Sequence, residues 1–180
     1  VSGNVAFVAC RTYGVELVDV TDPARPLHLS TVRTGEAQSC VVRDDILYVG
    51  VWGSKELVVC DVNDPRQPRI ISRTPLDGYG DGVCVRGRYC FVATGHHSRG
   101  MRKHDESDPG FGHGHGLEIF DVTQPDSPTF VSRVKAPRYY RIGMDMWDVI
   151  VSGNTAYLAD TYNGVFTIDI SDIRKPSFTG

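Results

Sequence analysis

The chain has 180 residues, 41% of them hydrophobic and 23% charged, and a formal net charge of −3. That is enough chain for one ordinary folded domain with a sizeable core, and it contains no run of about eighteen apolar residues that would cross a membrane as a helix. Scattered Lys and Arg on a slightly acidic chain leave no basic face for nucleic acid.

The opening residues, VSGNVAFVAC, already read as turn and strand. No Met and no leader-like run stands before them, so a processed form or a piece of something longer is expected. The same pattern returns along the chain. VSGNVAFVA at residue 1 recurs as VRDDILYVG at 42, VRGRYCFVA at 85 and VSGNTAYLA at 151. A second anchor follows each copy: VELVDVTDPARP (15–26), ELVVCDVNDPRQP (56–68), LEIFDVTQPDSP (117–128) and VFTIDISDIRKP (165–176). Its aspartates, Asp19, Asp61, Asp121 and Asp169, lie 42, 60 and 48 residues apart, which gives four units on a period near 42 with two insertions.

Each unit reads as all-β. Short runs rich in aromatic and β-branched residues are bounded by Gly, Asp and Pro. In the second unit these are strand A at 36–42, strand B at 46–51, strand C at 56–62 and strand D at 68–74. SGN, RDD and RGR supply the positive φ of tight hairpins. In the D-x-x-D-P-x-x-P block, Asp accepts backbone hydrogen bonds and the prolines end the preceding strand. No window has helical periodicity, so almost no helix is expected. Units of about four strands on this period predict an all-β fold of β-propeller blades.

The units also resemble the LVIVD repeat, a family of β-propeller repeats named for a core close to VELVDV and ELVVCDV. The resemblance implies a propeller and specifies no chemistry. The third and fourth copies depart from it with LEIFDV and VFTIDI, and Ile173 stands where the other units have the first proline of the block. The units run approximately 1–34, 35–75, 76–135 and 136–180. Strand counting gives about fourteen, three of them in the first unit and three in the last. Since a propeller closes its ring to remove sheet edges, the expectation is a segment of a larger ring of six to eight blades, with a ring closed by a second copy as the lesser alternative.

The five cysteines (Cys10, Cys40, Cys60, Cys84, Cys90) form no C-x-x-C pair and no zinc spacing, and most lie inside apolar runs where Cys acts as a small hydrophobe. Cys84 and Cys90 flank a turn, and their pairing is left open. Both insertions fall on one side of the propeller, the side of the B–C and D–A loops: residues 95–116 in the third unit and 135–147 before the fourth. Loops on a rigid scaffold carry function. The candidate ligand-binding residues on this side are Arg11, Tyr79, Asp81, Tyr140, Asp145, Trp147, Asp148, Asp160 and Tyr162, with Tyr13, Trp52, Arg138 and Tyr139 nearby. For each single Asp the plainer role is a strand-end or turn acceptor.

Five of the six histidines lie in GHHSRGMRKHDESDPGFGHGHG (95–116). His113 and His115 share a face if strand C extends to them, and one of His96 and His97 joins that face. With Asp81, Asp105, Asp145 or Asp148 they form a candidate site for a divalent transition metal, namely zinc, copper or iron. The plainer reading is a polar loop, since its charges balance and the spacing matches no metal signature. The expected function is a scaffold presenting a ligand- or protein-recognition face, with metal assistance through the His-rich loop. The alternative is a hydrolase or oxidoreductase using a His/Asp site there, metal-dependent or acid/base; no G-x-S-x-G accompanies the histidines. The expected location is extracellular or periplasmic, with the cytoplasm the other choice.

Overall fold

The computed structural model describes residues 1–95, 116–135, 146–161 and 163–180, and among these there are fifteen strands and no helix. Runs such as ILYVGV and ELVVCD are apolar at nearly every position, which suits a strand covered on both faces. That is how they lie. Blade 1 is β1 (Val5–Ala9), β2 (Val15–Asp19) and β3 (Leu27–Val32). Blade 2 is β4 (Ala37–Arg43), β5 (Ile46–Val51), β6 (Glu56–Asp61) and β7 (Arg69–Pro75). Blade 3 is β8 (Tyr79–Arg86), β9 (Tyr89–Gly95), β10 (Gly116–Asp121) and β11 (Thr129–Lys135). Blade 4 is β12 (Met146–Ser152), β13 (Thr155–Asp160), β14 (Gly164–Asp169) and β15 (Ser177–Phe178). Each is an antiparallel sheet in sequential order.

The strand count of fourteen is corrected by one. Ser177 and Phe178 pair with Asp169 and Ile168, and the ladder continues as Thr179 N–H donates to the Thr167 carbonyl at 2.9 Å. PSFTG reads as a strand only beginning, but two residues suffice once β14 offers its free edge.

The hydrophobic residues gather in three cores, one at each junction between neighbouring blades. Val15 and Leu17 of blade 1 meet Leu47, Val49 and Val58 of blade 2. Tyr48, Leu57 and Val59 of blade 2 meet Val92, Cys90 and Phe120 of blade 3. Phe91, Leu117 and Ile119 of blade 3 meet Leu158, Phe166 and Ile168 of blade 4. Close approach also needs small residues: a Cβ on Gly82 of β8 would stand 2.3 Å from Cα of Asp148 in the next blade. On the far side of blade 4, Ile150, Tyr157 and Val165 are exposed.

The Asp-Pro connectors are tied down in the same way four times. Oδ1 of Asp19, Asp61, Asp121 and Asp169 accepts the N–H two residues on, at 2.8, 3.0, 2.9 and 2.8 Å. The N–H just after each Asp donates to the A–B turn of its own blade, as Val62 does to the Asp45 carbonyl at 2.9 Å. That turn has positive φ at Asp44 and Asp45, 50° and 59°, the left-handed pair that a two-residue hairpin requires. Connectors also clamp neighbouring blades: Ser30 Oγ donates to the Pro65 carbonyl and Ser132 Oγ to the Ile173 carbonyl, both at 2.6 Å. The proline-to-isoleucine departure at 173 is therefore tolerated, because the clamp uses only a backbone oxygen.

All five cysteines are free, so Cys84 and Cys90 do not pair. Burial raises the Cys40 thiol to about 11 and the Cys60 thiol to about 12, which keeps both protonated as apolar filling.

The connectors predict acid sensitivity. The hydroxyl and N–H of Thr123, with Arg88, bring Asp121 down to about 2. Asp19 is lowered by the hydroxyl and N–H of Thr21, Asp61 by the Asn63 N–H and Arg69, and Asp169 by the N–H and hydroxyl of Ser171. Folded values below the unfolded one mean that the unfolded chain binds more protons, so this stability is complete above about pH 4 and is lost as pH falls towards 2. Asp121→Asn keeps an oxygen for Thr123 but no charge for Arg88. Its melting temperature should fall at pH 7 and depend less on pH between 4 and 2 than that of the parent; an equal slope would count against the connector's role.

Candidate functional site

Strand A of every complete blade carries an extra residue at the same place. In β4, Ala37 faces Val51 and Ser39 faces Gly50, leaving Gln38 as a bulge. In β12, Met146 faces Asp160 and Asp148 faces Ala159, leaving Trp147. In β8 the register passes from Gly80 and Thr94 to Val83 and Val92, so Asp81 and Gly82 together oppose Ala93. Bulges re-aim side chains, and these lie at the inner end of each blade on the B–C and D–A side.

Of the residues expected on this side, the structure gathers some into a strip across blades 1 to 3. Arg11, at φ 53°, exchanges backbone hydrogen bonds with Ala37 at 3.1 and 2.9 Å, and its Nη1 stands 3.5 Å from Glu36 Oε1. The backbone N–H of Trp52 donates to the Glu36 carbonyl at 2.9 Å, which ties the two loops together. Trp52 and Tyr79 stack with centroids 4.3 Å apart and planes at 17°, and Lys55 Nζ lies 4.7 Å from the Tyr79 centroid. Lys55 and Glu36 were not singled out from the sequence; their signal is only a polar residue in each of the two loops that flank Trp52.

Asp81, Asp148 and Asp160 differ in their surroundings. Asp81 is buried, its backbone against Gly50 of blade 2. Asp148 is exposed and its Oδ1 accepts the Val149 N–H at 2.8 Å. Asp160 is buried and accepts the N–H and Nδ2 of Asn163 at 2.9 and 2.8 Å, the turn-acceptor role. Trp147 is 41% exposed and its Nε1 donates to Thr161 Oγ1. Among the described residues no group of three or more His, Cys, Asp or Glu side chains could hold a metal ion. His96, His97, His113 and His115, with Asp105, Arg138, Tyr139, Tyr140, Asp145 and Tyr162, lie outside the described residues.

Tyr79 is held by a buried charge network that the sequence showed only as one Glu inside an apolar strand. Glu118 is 1% exposed. Its Oε1 accepts the Asp77 N–H at 2.7 Å and its Oε2 accepts Arg133 Nη2 at 3.0 Å, while Arg133 and Lys135 stand 3.7 and 3.5 Å from Asp77 Oδ2. The D–A loop that delivers Tyr79 is thus pinned onto blade 3.

A family model, LVIVD repeat, matches residues 1–34, 34–74 and 143–180, well over half of the chain. The chain belongs to the LVIVD repeat family. The match omits the third unit, the one with the long insertion, although its sheet has the same four strands. No curated protein matches by sequence. Among solved structures, this LVIVD-repeat protein is similar to the periplasmic gluconolactonase of Pseudomonas aeruginosa, with TM-score 0.75, 12% identity, and 99% of this chain and 53% of that one covered. It is similar to a protein from Lactobacillus plantarum, with TM-score 0.79, 16% identity and coverage of 98% and 53%. A chain of the nidogen–laminin complex gives TM-score 0.61, 16% identity and coverage of 97% and 58%. The chain spans little more than half the length of each. At these identities the likeness is one of fold.

Removing Arg133 would leave the Glu118 carboxylate buried beside fewer donors. Arg133→Ala should cost about 2–4 kcal/mol, somewhat below the usual value for a buried pair because part of Arg133 meets solvent. Urea unfolding measures it, and a loss under about 1 kcal/mol would show that the network is not what holds the loop.

Proposed function

We propose that this LVIVD-repeat propeller is a scaffold whose B–C and D–A side is a recognition face for a ligand or protein. The Trp52–Tyr79 stack carries this reading, with Lys55 over one ring and the Arg11–Glu36 pair alongside. Two parallel rings backed by strands form a rigid platform with little side-chain entropy to lose on binding, and Trp, Tyr and Arg are the residues that anchor interfaces. The His-rich insertion belongs to the same side, and His96, His97, His113 and His115 are the ligands we propose for an assisting zinc, copper or iron ion. A second reading, an enzyme of hydrolase type on the same face, is favoured by one observation: a nearly fully buried carboxylate, Asp81, at a bulge. The solved fold relatives support both, since one is named a gluconolactonase and another belongs to a protein complex.

The exposed row on blade 4 fits the same scaffold. Ile150, Tyr157 and Val165 hold the repeat positions of Cys84, Phe91 and Leu117, which blade 4 covers in blade 3. We infer that another blade of the same ring covers them.

Glycan and peptide arrays test the face. Binding should fall at least tenfold in Trp52→Ala and in Tyr79→Ala at unchanged melting temperature; binding that ignores both substitutions, or none on any array, sinks the reading. Hydrolysis of D-glucono-1,5-lactone that is lost in Asp81→Asn would favour the enzyme. Titration with zinc, copper and iron should reach stoichiometric binding and fail in His113→Ala or His115→Ala, and no tight metal would remove the assisting ion.

A further inference from the structure

The side of the propeller opposite the candidate face, made of A–B turns and Asp-Pro connectors, holds a cleft that recurs between blades. Between blades 2 and 3 it is about 320 Å³, and between blades 3 and 4 about 660 Å³. The two are lined by the same repeat positions. Arg43, Tyr48, Val85 and Val122 of the smaller correspond to Arg86, Phe91, Val151 and Ile170 of the larger. A shared backbone therefore makes both, and side chains decide the difference.

The decisive position is Arg88, replaced by Asn154. In the smaller cleft Arg88 reaches across to the connector, where its Nε donates to Asp121 Oδ2 at 2.9 Å and its Nη2 donates to the same oxygen. The guanidinium lies 5.4 Å from the Tyr89 ring. Asn154 is too short for that crossing, so the equivalent Asp169 keeps the N–H cap that Asp121 also has, from Ser171, without an arginine partner on its other oxygen among the described residues. Arg88 is one of the residues that line the smaller cleft, and at the same repeat position the larger cleft has the short Asn154. Its floor is the buried Phe91 with half-buried Tyr89 and Ile173, an apolar surface with two aromatic rings.

Charge at the rim is asymmetric. Arg86 donates through Nη1 to the Gly153 carbonyl at 3.0 Å, a contact that uses one of its five N–H groups. Arg174 is exposed and lines the cleft from the connector of blade 4. Among the described residues no carboxylate lies within 4.0 Å of either guanidinium, whereas Arg88 and Arg43 of the smaller cleft face Asp121 and Asp44. Asp172, the acidic group on the rim, accepts the Arg174 N–H through Oδ1 at 3.0 Å.

We propose that the cleft between blades 3 and 4 is a binding site for a small planar apolar ligand carrying a carboxylate, its ring seated on Phe91 and Tyr89 and its anion between Arg86 and Arg174. A cleft of this size matches drug-sized and metabolite-sized ligands, and guanidinium groups pair with carboxylates through two parallel hydrogen bonds. The site stands apart from the recognition face, on the other side of the blades, so neither reading depends on the other.

The test uses 2-naphthoate on the whole chain, followed by backbone amide shifts in NMR, with 2-naphthalenemethanol and acetate as ring-only and charge-only controls. Saturable binding of 2-naphthoate with a Kd of about 1 mM or tighter is expected, with shifts at Gly87, Gly153 and Ser171. Both controls should bind at least about fivefold more weakly, and Arg86→Ala and Arg174→Ala should weaken 2-naphthoate by a similar factor. Asn154→Arg rebuilds the smaller cleft, gives Asp169 the partner that Asp121 has, and should abolish binding without lowering the melting temperature. That substitution adds a cation, so binding retained or strengthened in it would reveal mere surface attraction and overturn the proposal. So would acetate binding as well as 2-naphthoate, or no saturable binding of 2-naphthoate up to about 10 mM.

Discussion

A single blade of this protein has two apolar faces and can bury neither by itself. Everything else follows from that constraint. Leu47, Val49, Val58 and Cys60 point to blade 1 while Tyr48, Leu57 and Val59 point to blade 3, so consecutive residues of β5 and β6 serve different cores. Burial at about 25 cal/mol per Å² is thereby gained only when blades stack, and a blade's stability belongs to its two junctions. The connectors serve the same end. The four capped aspartates fix where strand C ends, and the serine clamps from β3 and β11 hold the next connector against the preceding blade. Among the described residues, loops on the other side hold no such repeated cap, and both insertions fall there.

The same constraint explains how much was legible in the sequence. A blade that must repeat its neighbour's packing repeats its pattern, so the Asp anchors located the units and the strands of blade 2 fell within a residue of their observed bounds. The core place of Cys60 was legible too, because it sits inside the apolar run ELVVCDV, whereas the pairing of Cys84 and Cys90 stayed open until the structure showed both free. What escaped was whatever depends on register or on comparison between blades. A bulge adds no recognisable residue type: Gln38, Asp81 and Trp147 have nothing in common as side chains and share only a backbone event. Trp52 and Tyr79 were placed on the right side, but they stack across a blade junction, which no local pattern encodes. Glu118 could be read as an oddity in LEIFDV. Its partners, Asp77 and Arg133, are brought to it only by the D–A loop and by the neighbouring strand.

The repeated bulge and the repeated cleft show two ways in which one scaffold acquires local chemistry. At the bulge the backbone is constant and the residue varies freely: an amide in blade 2, a buried carboxylate in blade 3, an exposed indole in blade 4. Nothing in the cores depends on which is chosen, because the extra residue lies outside the ladder. At the cleft the constant feature is a space between neighbouring blades, and the variable is the side chain at the Arg88 and Asn154 position. Arg88 lines one and adds a charge-assisted tie to its connector; Asn154 lines the other, and Asp169 there has its backbone cap and a hydroxyl. The two sides of the propeller therefore vary in different ways: on one the sequence adds chain to loops, on the other it changes a single side chain beside a space that recurs at two of the three junctions.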